Sequence, residues 1–190
     1  GGGGDTPEAV HEGLRWSLSA VVAANWHPLT LLSHMLDVEF FGLAAGPPHW
    51  INALLHLANA LLLFAWLQRA SGHSSASLAV AALFALHPLR VESVAWVTER
   101  KDMLSGATFF GALLAYVFYL RRNKKKLFLF LSGVLFLCSL LSKAMAMSFP
   151  FVMLLVDYLR GRRFDRQSIL EKMPFFALSI AFGILTLVSQ

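Results

Sequence analysis

The sequence predicts an all-α protein, a polytopic membrane helix bundle of about six spans with interfacial helices in its outer loops. Of the 190 residues, 57% are hydrophobic and only 14% are charged, whereas soluble domains have about 45–50% apolar and about 25% charged residues. The apolar stretches are continuous rather than alternating, which favours helices over the strands of a membrane barrel. This composition excludes an ordinary cytosolic enzyme, a disordered tail and a nucleic-acid-binding module.

Six apolar runs are the candidate spans, since a helix needs about 20 largely apolar residues to cross a bilayer. The first run begins after Gly46-Pro47-Pro48 and ends before Ser71-Gly72, both of which break helices. The shorter runs can be extended through flanking small residues such as those of Ala144–Ser148. In chain order the runs cover residues 50–67, 77–86, 103–120, 127–141, 149–158 and 175–188.

Two basic clusters set the predicted orientation. They lie between apolar runs, in residues 121–126 and 160–166, and two spans separate them. The positive-inside rule therefore places both clusters on the cytoplasmic side, and it explains the net charge of +5 without nucleic acid. We predict an outer segment at residues 1–49 and a transmembrane bundle at 50–190. The start at Gly1-Gly2-Gly3-Gly4 leads us to expect an internal piece of a longer membrane protein.

An amphipathic helix is predicted within residues 24–43, with Pro28 in its first turn. Its apolar face would carry leucines, Met35 and Val38, and its polar face would carry Thr30, Ser33, His34 and Asp37. We interpret it as an interfacial helix on the outer surface. Residues 89–99 are predicted to form a second element of this kind.

Charges beside a membrane are expensive and therefore mark candidate sites. The richest stretch is 87–102, where Arg100 and Lys101 could bind a phosphate. The alternative is a solvated loop whose charges pair with each other. Lys143 is a lone cation between two apolar runs, and it could hold an anionic headgroup or simply extend to the interface. The other candidates in the stretch are His87, Arg90, Glu92, Glu99 and Asp102.

A histidine and carboxylate group in the first segment is a third candidate. His34 and Asp37 are three residues apart and share a helix face, with His27 about two turns earlier. A polar wall beside a headgroup cavity explains these residues better than a metal site, because firm ligand spacing is absent. No divalent metal is expected. The sequence also lacks the motifs of nucleotide hydrolysis, of Rossmann cofactors and of serine hydrolases.

A series of motifs resembles the bacterial relatives of the transmembrane and tetratricopeptide-repeat O-mannosyltransferases, which belong to the GT-C class of membrane glycosyltransferases. The resemblance extends from about Glu12 over nearly the whole chain. The motifs are Asn25-Trp26-His27-Pro28-Leu29-Thr30, Leu32-Ser33-His34-Met35-Leu36-Asp37, His87-Pro88-Leu89-Arg90-Val91-Glu92-Ser93-Val94-Ala95-Trp96-Val97, Glu99-Arg100-Lys101-Asp102, Leu141-Ser142-Lys143, Phe149-Pro150-Phe151 and Asp157-Tyr158.

The resemblance implies a GT-C-like fold and transfer of a mannose-like sugar from a polyprenyl-phosphate donor to a hydroxyl acceptor. The acceptor would be a glycan or a protein Ser or Thr on the outer, periplasmic or extracellular, face of a bacterial inner membrane. The family's first span with its acidic pair and its C-terminal repeats are not found in this sequence, so the piece is expected to be incomplete for catalysis.

The sequence assigns roles to these residues as a hypothesis. Arg100 and Lys143 would hold the donor phosphate with help from Lys101, and Glu92 and Asp102 would line the sugar or acceptor site. His27, His34 and Asp37 would shape the wall of the first loop, and His87 and Arg90 belong to the second. Two other classes stay open, namely a transporter or flippase of a lipid-linked sugar and a non-catalytic membrane scaffold.

Overall fold

The chain is described from a computed structural model, which covers residues 28–42, 46–90, 94, 96–122, 125–162 and 165–188. These residues form seven α-helices and no strand. The helices are α1 (Pro28–Phe41), α2 (Gly46–Ser71), α3 (Ser74–Leu86), α4 (Arg100–Arg121), α5 (Lys126–Ser142), α6 (Phe149–Leu159) and α7 (Arg166–Val188). Short 3₁₀ helices precede α4 at Val97–Glu99 and α6 at Ala144–Ser148. The prediction of an all-α helix bundle is therefore confirmed.

Each of the six predicted apolar runs lies within one of the helices α2 to α7. Three stretches are long and apolar enough to cross a membrane, namely Gly46–Ser71, Val97–Arg121 and Arg166–Leu187. The other three, Ser74–Leu86, Lys126–Ser142 and Ala144–Leu159, are shorter apolar helices. Successive helices run in opposite directions, so the starts of α2, α4 and α6 lie at one end of the bundle. We call this the outer end and the opposite one the inner end.

Helix boundaries follow the breakers in the sequence. Helix α2 begins at Gly46, and the two prolines that follow occupy its first turn, where a missing N–H costs nothing. It ends at Ser71, before Gly72, which adopts a left-handed φ of 81°. Helix α7 begins at Arg166, well before the predicted residue 175, and Lys172 within this added part is buried inside the protein rather than exposed to lipid.

The core lies between α4, α5 and α6, where aromatic rings pack together. Phe136 stacks on Phe149 with ring centroids 4.6 Å apart, and both side chains are fully buried. Phe175 of α7 packs against the same two rings. Tyr116 and Met153 are also fully buried in or beside this cluster. These contacts hold α7 against the bundle and fix the position of the polar residues at its inner end.

Helix α1 packs against the bundle through its polar face. Thr30 and Asp37 are buried, whereas Leu36, Val38 and Phe40 are exposed. Thr30 donates a hydrogen bond to the carbonyl of Ser142 at the end of α5 (3.5 Å). The predicted amphipathic pattern is present, with the polar side turned to the protein and the apolar side turned outward. This arrangement fits a helix whose surroundings are apolar.

Candidate functional site

Arg100, the first residue of α4, is fully buried at the outer end of the bundle. Its guanidinium forms an ion pair with Asp37 of α1. It also donates to Asn52 Oδ1 (3.1 Å) and to the carbonyl of Pro48 (3.0 Å), both in α2. A fourth hydrogen bond reaches Ser33 Oγ (3.3 Å). Arg100 therefore joins the ends of three helices.

This environment argues against the phosphate-binding role suggested for Arg100 from the sequence. The side chain has no exposed surface, and four of its five N–H groups already have acceptors. A ligand phosphate would have to displace Asp37 and unseat α1. In this structure Arg100 holds α1 in place, and sequence spacing could not reveal how deeply its side chain is buried.

His34 lies beside this anchor, one turn before Asp37 on α1. Burial lowers the pKa of His34 from its usual 6.5, and the positive charge of Arg100 lowers it further, although Asp37 acts in the opposite direction. The imidazole is therefore neutral near pH 7. Asp37 and His34 do share a helix face as predicted. His27, the third member of the predicted wall, lies outside the described residues.

Two ion pairs next to Arg100 remain accessible, and we call them the outer ion pairs. Lys143 pairs with Asp102, and their side chains are 30% and 21% exposed. Lys101 pairs with Glu99 across 3.5 Å, with 29% and 25% of the side chains exposed. Lys143 stands in an extended conformation between α5 and the 3₁₀ helix Ala144–Ser148. The fold thus brings Lys143 to the start of α4, as the sequence hypothesis requires.

The predicted residues of the second loop lie apart from these pairs. Arg90 covers the ring of Phe84 at 4.5 Å, and His87 accepts a hydrogen bond from the Leu89 N–H (3.3 Å). Within the described residues, no hydrogen bond or ion pair links either side chain to the outer ion pairs. Glu92, placed at the sugar or acceptor site from the sequence, lies outside the described residues.

Two asparagines of α2 were missed by the sequence analysis. Asn52 is fully buried, and besides accepting from Arg100 it donates to the carbonyl of Trp96 (3.1 Å). Asn59 is also buried and donates to the carbonyl of Met103 (2.9 Å). They are seven residues apart and therefore lie on one face of α2. That spacing of two amides in an apolar run was the available signal for a polar seam against α4.

A second group of charged residues lies at the inner end, and we call it the inner network. The sequence did not indicate that these residues come together. Asp157 at the end of α6 is fully buried and pairs with Lys172 of α7, which is 1% exposed. Tyr116 and Ser168 donate to the same carboxylate at 2.6 and 3.0 Å. Arg162 forms ion pairs with both Asp157 (3.6 Å) and Glu171 (2.7 Å), and the Tyr119 hydroxyl donates a hydrogen bond to Glu171 (2.6 Å).

The carboxylates at the two ends of the bundle are candidate ligands for a cation. Among the residues that the structure describes, no three or more His, Cys, Asp or Glu side chains converge on one point. Each carboxylate of the outer ion pairs and of the inner network lies instead beside a Lys or Arg.

The chain is similar in sequence to animal proteins that are named as protein O-mannosyl-transferases. Over 126 residues the chain is 33% identical to "Protein O-mannosyl-transferase Tmtc1" of Drosophila melanogaster, covering 65% of this chain and 14% of the relative. It is 32% identical to "Protein O-mannosyl-transferase Tmtc2" of the same species over 143 residues, 72% of this chain and 15% of the relative. It is 34% identical to "Protein O-mannosyl-transferase tmtc2" of Xenopus laevis over 93 residues.

The matches cover much of this chain but little of each relative. The chain matches 11–15% of the length of these three curated proteins. No family model matches the sequence, and no solved structure shows significant similarity to it. Over as much as 72% of its length, the chain is thus homologous to a short part of proteins that are named as protein O-mannosyl-transferases.

Proposed function

We propose that this chain is part of a membrane glycosyltransferase of the GT-C class, related to the protein O-mannosyltransferases. It moves a mannose-like sugar from a polyprenyl-phosphate donor to a hydroxyl acceptor such as protein Ser or Thr. The observation that carries the proposal is the pair of accessible lysines at the outer end, in a chain whose relatives are named as mannosyltransferases.

The outer ion pairs suit a donor that combines an apolar tail with an anionic phosphate. The side chains of Lys143 and Lys101 are 30% and 29% exposed, and both lie beside the ends of apolar helices. We assign the donor phosphate to these two cations and not to Arg100, which is buried and occupied. A lysine acts here as a mobile point charge that can leave its carboxylate for a phosphate.

Asp102 is the proposed proton acceptor. When Lys143 turns to the donor phosphate, the Asp102 carboxylate loses its cation and becomes available to the acceptor hydroxyl. The hydroxyl oxygen then forms a bond to the anomeric carbon, the bond from that carbon to the phosphate oxygen breaks, and polyprenyl phosphate leaves. The proton passes to Asp102, and the lysines stabilise the leaving phosphate. Glu92 keeps its proposed place at the sugar or acceptor site.

A transfer assay distinguishes glycosyl transfer from the alternative function, transport or flipping of a lipid-linked sugar. The chain is reconstituted in proteoliposomes with radiolabelled polyprenyl-phosphate-mannose and a Ser/Thr-rich peptide, in parallel with the full-length protein in its own membranes. Labelled peptide that disappears with Lys143→Ala supports the transferase. Movement of labelled donor across the bilayer without labelled peptide favours the flippase. Equal transfer by the parent and Lys143→Ala contradicts the assigned site.

The bacterial inner membrane remains the proposed location, with the outer end facing the periplasm or the extracellular space. The proposal rests on the basic clusters at the inner end, which the positive-inside rule assigns to the cytoplasm. Labelling of single cysteines introduced near Lys143 and near Lys125 by an impermeant reagent in intact cells tests it. Only the site near Lys143 should react.

A further inference from the structure

A groove of about 540 Å³ runs along the bundle between α5 and α7, starting at the inner end. Its polar lining is confined to that end, where Tyr119, Lys126, Gln167 and Glu171 surround it. Further from the end the lining is apolar and includes Leu137 and Leu178. The groove therefore has the polarity of an amphiphile, with one polar end and a long apolar part.

The length of the groove matches one leaflet of a bilayer. From Lys126 to Leu137, helix α5 rises by about 16 Å at about 1.5 Å per residue. The hydrocarbon core of a bilayer is about 30 Å thick, which gives about 15 Å for each leaflet. The wall formed by α5 faces outward, since Phe130 is 70% and Val134 is 41% exposed. An acyl chain from the surrounding membrane can reach this exposed wall from the side.

The charge at the polar end favours an acidic headgroup. Both oxygens of Glu171 are already bound, one by Tyr119 and the other by Arg162. Lys126 is exposed, and within the described residues no ion pair engages it. Among the described residues that line the groove, the one charge without an ion-pair partner is thus positive, and Lys126 lies at the headgroup level of the inner end.

We propose that the groove between α5 and α7 binds an acidic phospholipid of the inner leaflet. Its phosphate lies at Lys126, and one acyl chain lies along the apolar wall as far as Leu137 and Leu178. This site is at the opposite end of the bundle from the outer ion pairs and does not depend on the proposed glycosyl transfer. The bound lipid fills the gap between α5 and α7, and so supports the helix that carries Lys172 and Glu171.

Native mass spectrometry of the detergent-purified chain, after exposure to equal amounts of phosphatidylglycerol and phosphatidylcholine, tests the headgroup assignment. The parent should retain one lipid and prefer phosphatidylglycerol. Lys126→Ala should reduce that preference about fivefold, the effect of one cation near the membrane surface. The matched control Lys125→Ala removes the neighbouring charge, which does not line the groove, and should reduce the preference clearly less. Equal effects of the two variants, or no preference in the parent, would overturn the proposal.

The position of the acyl chain is tested by filling the groove. A Cβ at Gly133 meets Phe175 at 3.9 Å, an ordinary contact, so Gly133→Leu adds a side chain without a backbone clash. Because glycine is a poorer helix former than leucine, the melting temperature of Gly133→Leu should not fall. Val134→Phe fills the groove from a second, exposed position on α5. Both variants should lose the retained lipid, and retention by either folded variant would contradict this placement.

Discussion

The two ends of the bundle both carry charged residues, but they differ in how far these residues are removed from solvent. At the inner end Asp157 and Lys172 are 0% and 1% exposed, and every partner lies within the bundle. At the outer end Arg100 and Asp37 are buried, while the side chains of Lys143 and Asp102 are 30% and 21% exposed. The difference favours a structural role for the inner network, whereas the outer ion pairs are accessible from outside the bundle.

The largest effect is expected from Asp157→Ala at the inner end. It leaves the buried ammonium of Lys172 without its carboxylate, and breaking a buried ion pair costs about 3–5 kcal/mol. The melting temperature of the purified chain should fall sharply. The double variant Asp157→Leu with Lys172→Met removes both charges and should recover most of the loss. An unchanged melting temperature for Asp157→Ala would show that the network does not support the fold.

Arg100→Ala should have the next largest effect, and a more local one. It strands Asp37 and removes hydrogen bonds to Asn52 and Pro48, each of which as a bond to a charged group contributes about 1.5–3 kcal/mol. Hydrogen exchange within Pro28–Phe41 should accelerate, while that of α4 and α5 stays slow. Arg100→Lys keeps the charge without the planar fork and should fall in between. If α1 remains protected in Arg100→Ala, the anchor role is wrong.

Acid should weaken the docking of α1 through His34. Its pKa is below 6.5 when docked, so below pH 6.5 the undocked form binds more protons than the docked form. The contribution of neutral His34 to docking is therefore present in full above pH 6.5 and is lost as the pH falls through the lowered pKa. The protection of α1, that is its hydrogen exchange relative to the intrinsic rate at the same pH, should be weaker at pH 5.5 than at pH 7.5. His34→Gln, which does not titrate, should reduce this difference, and a pH response identical to the parent's would exclude His34 as its origin.

The smallest effect on stability is expected at the outer ion pairs. Lys143→Ala breaks a partly exposed pair, and such pairs contribute about 0–1 kcal/mol. The melting temperature should hardly change, in contrast with Asp157→Ala. Asp102→Asn changes the other residue of the same ion pair, and it should likewise leave the melting temperature almost unchanged. A large loss of stability in both variants would remove the distinction between the two ends.

Much of the fold was predictable because the bilayer imposes simple rules on sequence. Apolar runs and the breakers around Gly46 and Gly72 located the helices, and the polar face of α1 was evident from spacing. Burial of charge was not predictable from one sequence. Arg100 and Lys101 are neighbours with similar chemistry, yet one is fully buried and the other is 29% exposed at its side chain. Which of the two side chains is buried is decided only by the packing of α1, α2 and α4 around Arg100.

The inner network was missed for a related reason. Asp157 lies near the end of one apolar helix and Lys172 early in another, and each alone resembles a residue at a membrane surface. Their meeting depends on the packing of α6 against α7, which no local pattern encodes. The convergence of Lys143 with Asp102 likewise joins residues 41 positions apart. The sequence hypothesis could name both as candidates without knowing that they form a pair.

The central claim, that the accessible outer lysines bind the donor phosphate, is tested most directly by measuring the binding of a polyprenyl phosphate to the purified chain. Native mass spectrometry compares the parent with Lys143→Ala, using Lys125→Ala at the inner end as the control. Loss of one charged contact, worth about 1.5–3 kcal/mol, predicts at least tenfold weaker retention by Lys143→Ala at an unchanged melting temperature, with no change in the control. Equal retention by the parent and Lys143→Ala would contradict the claim.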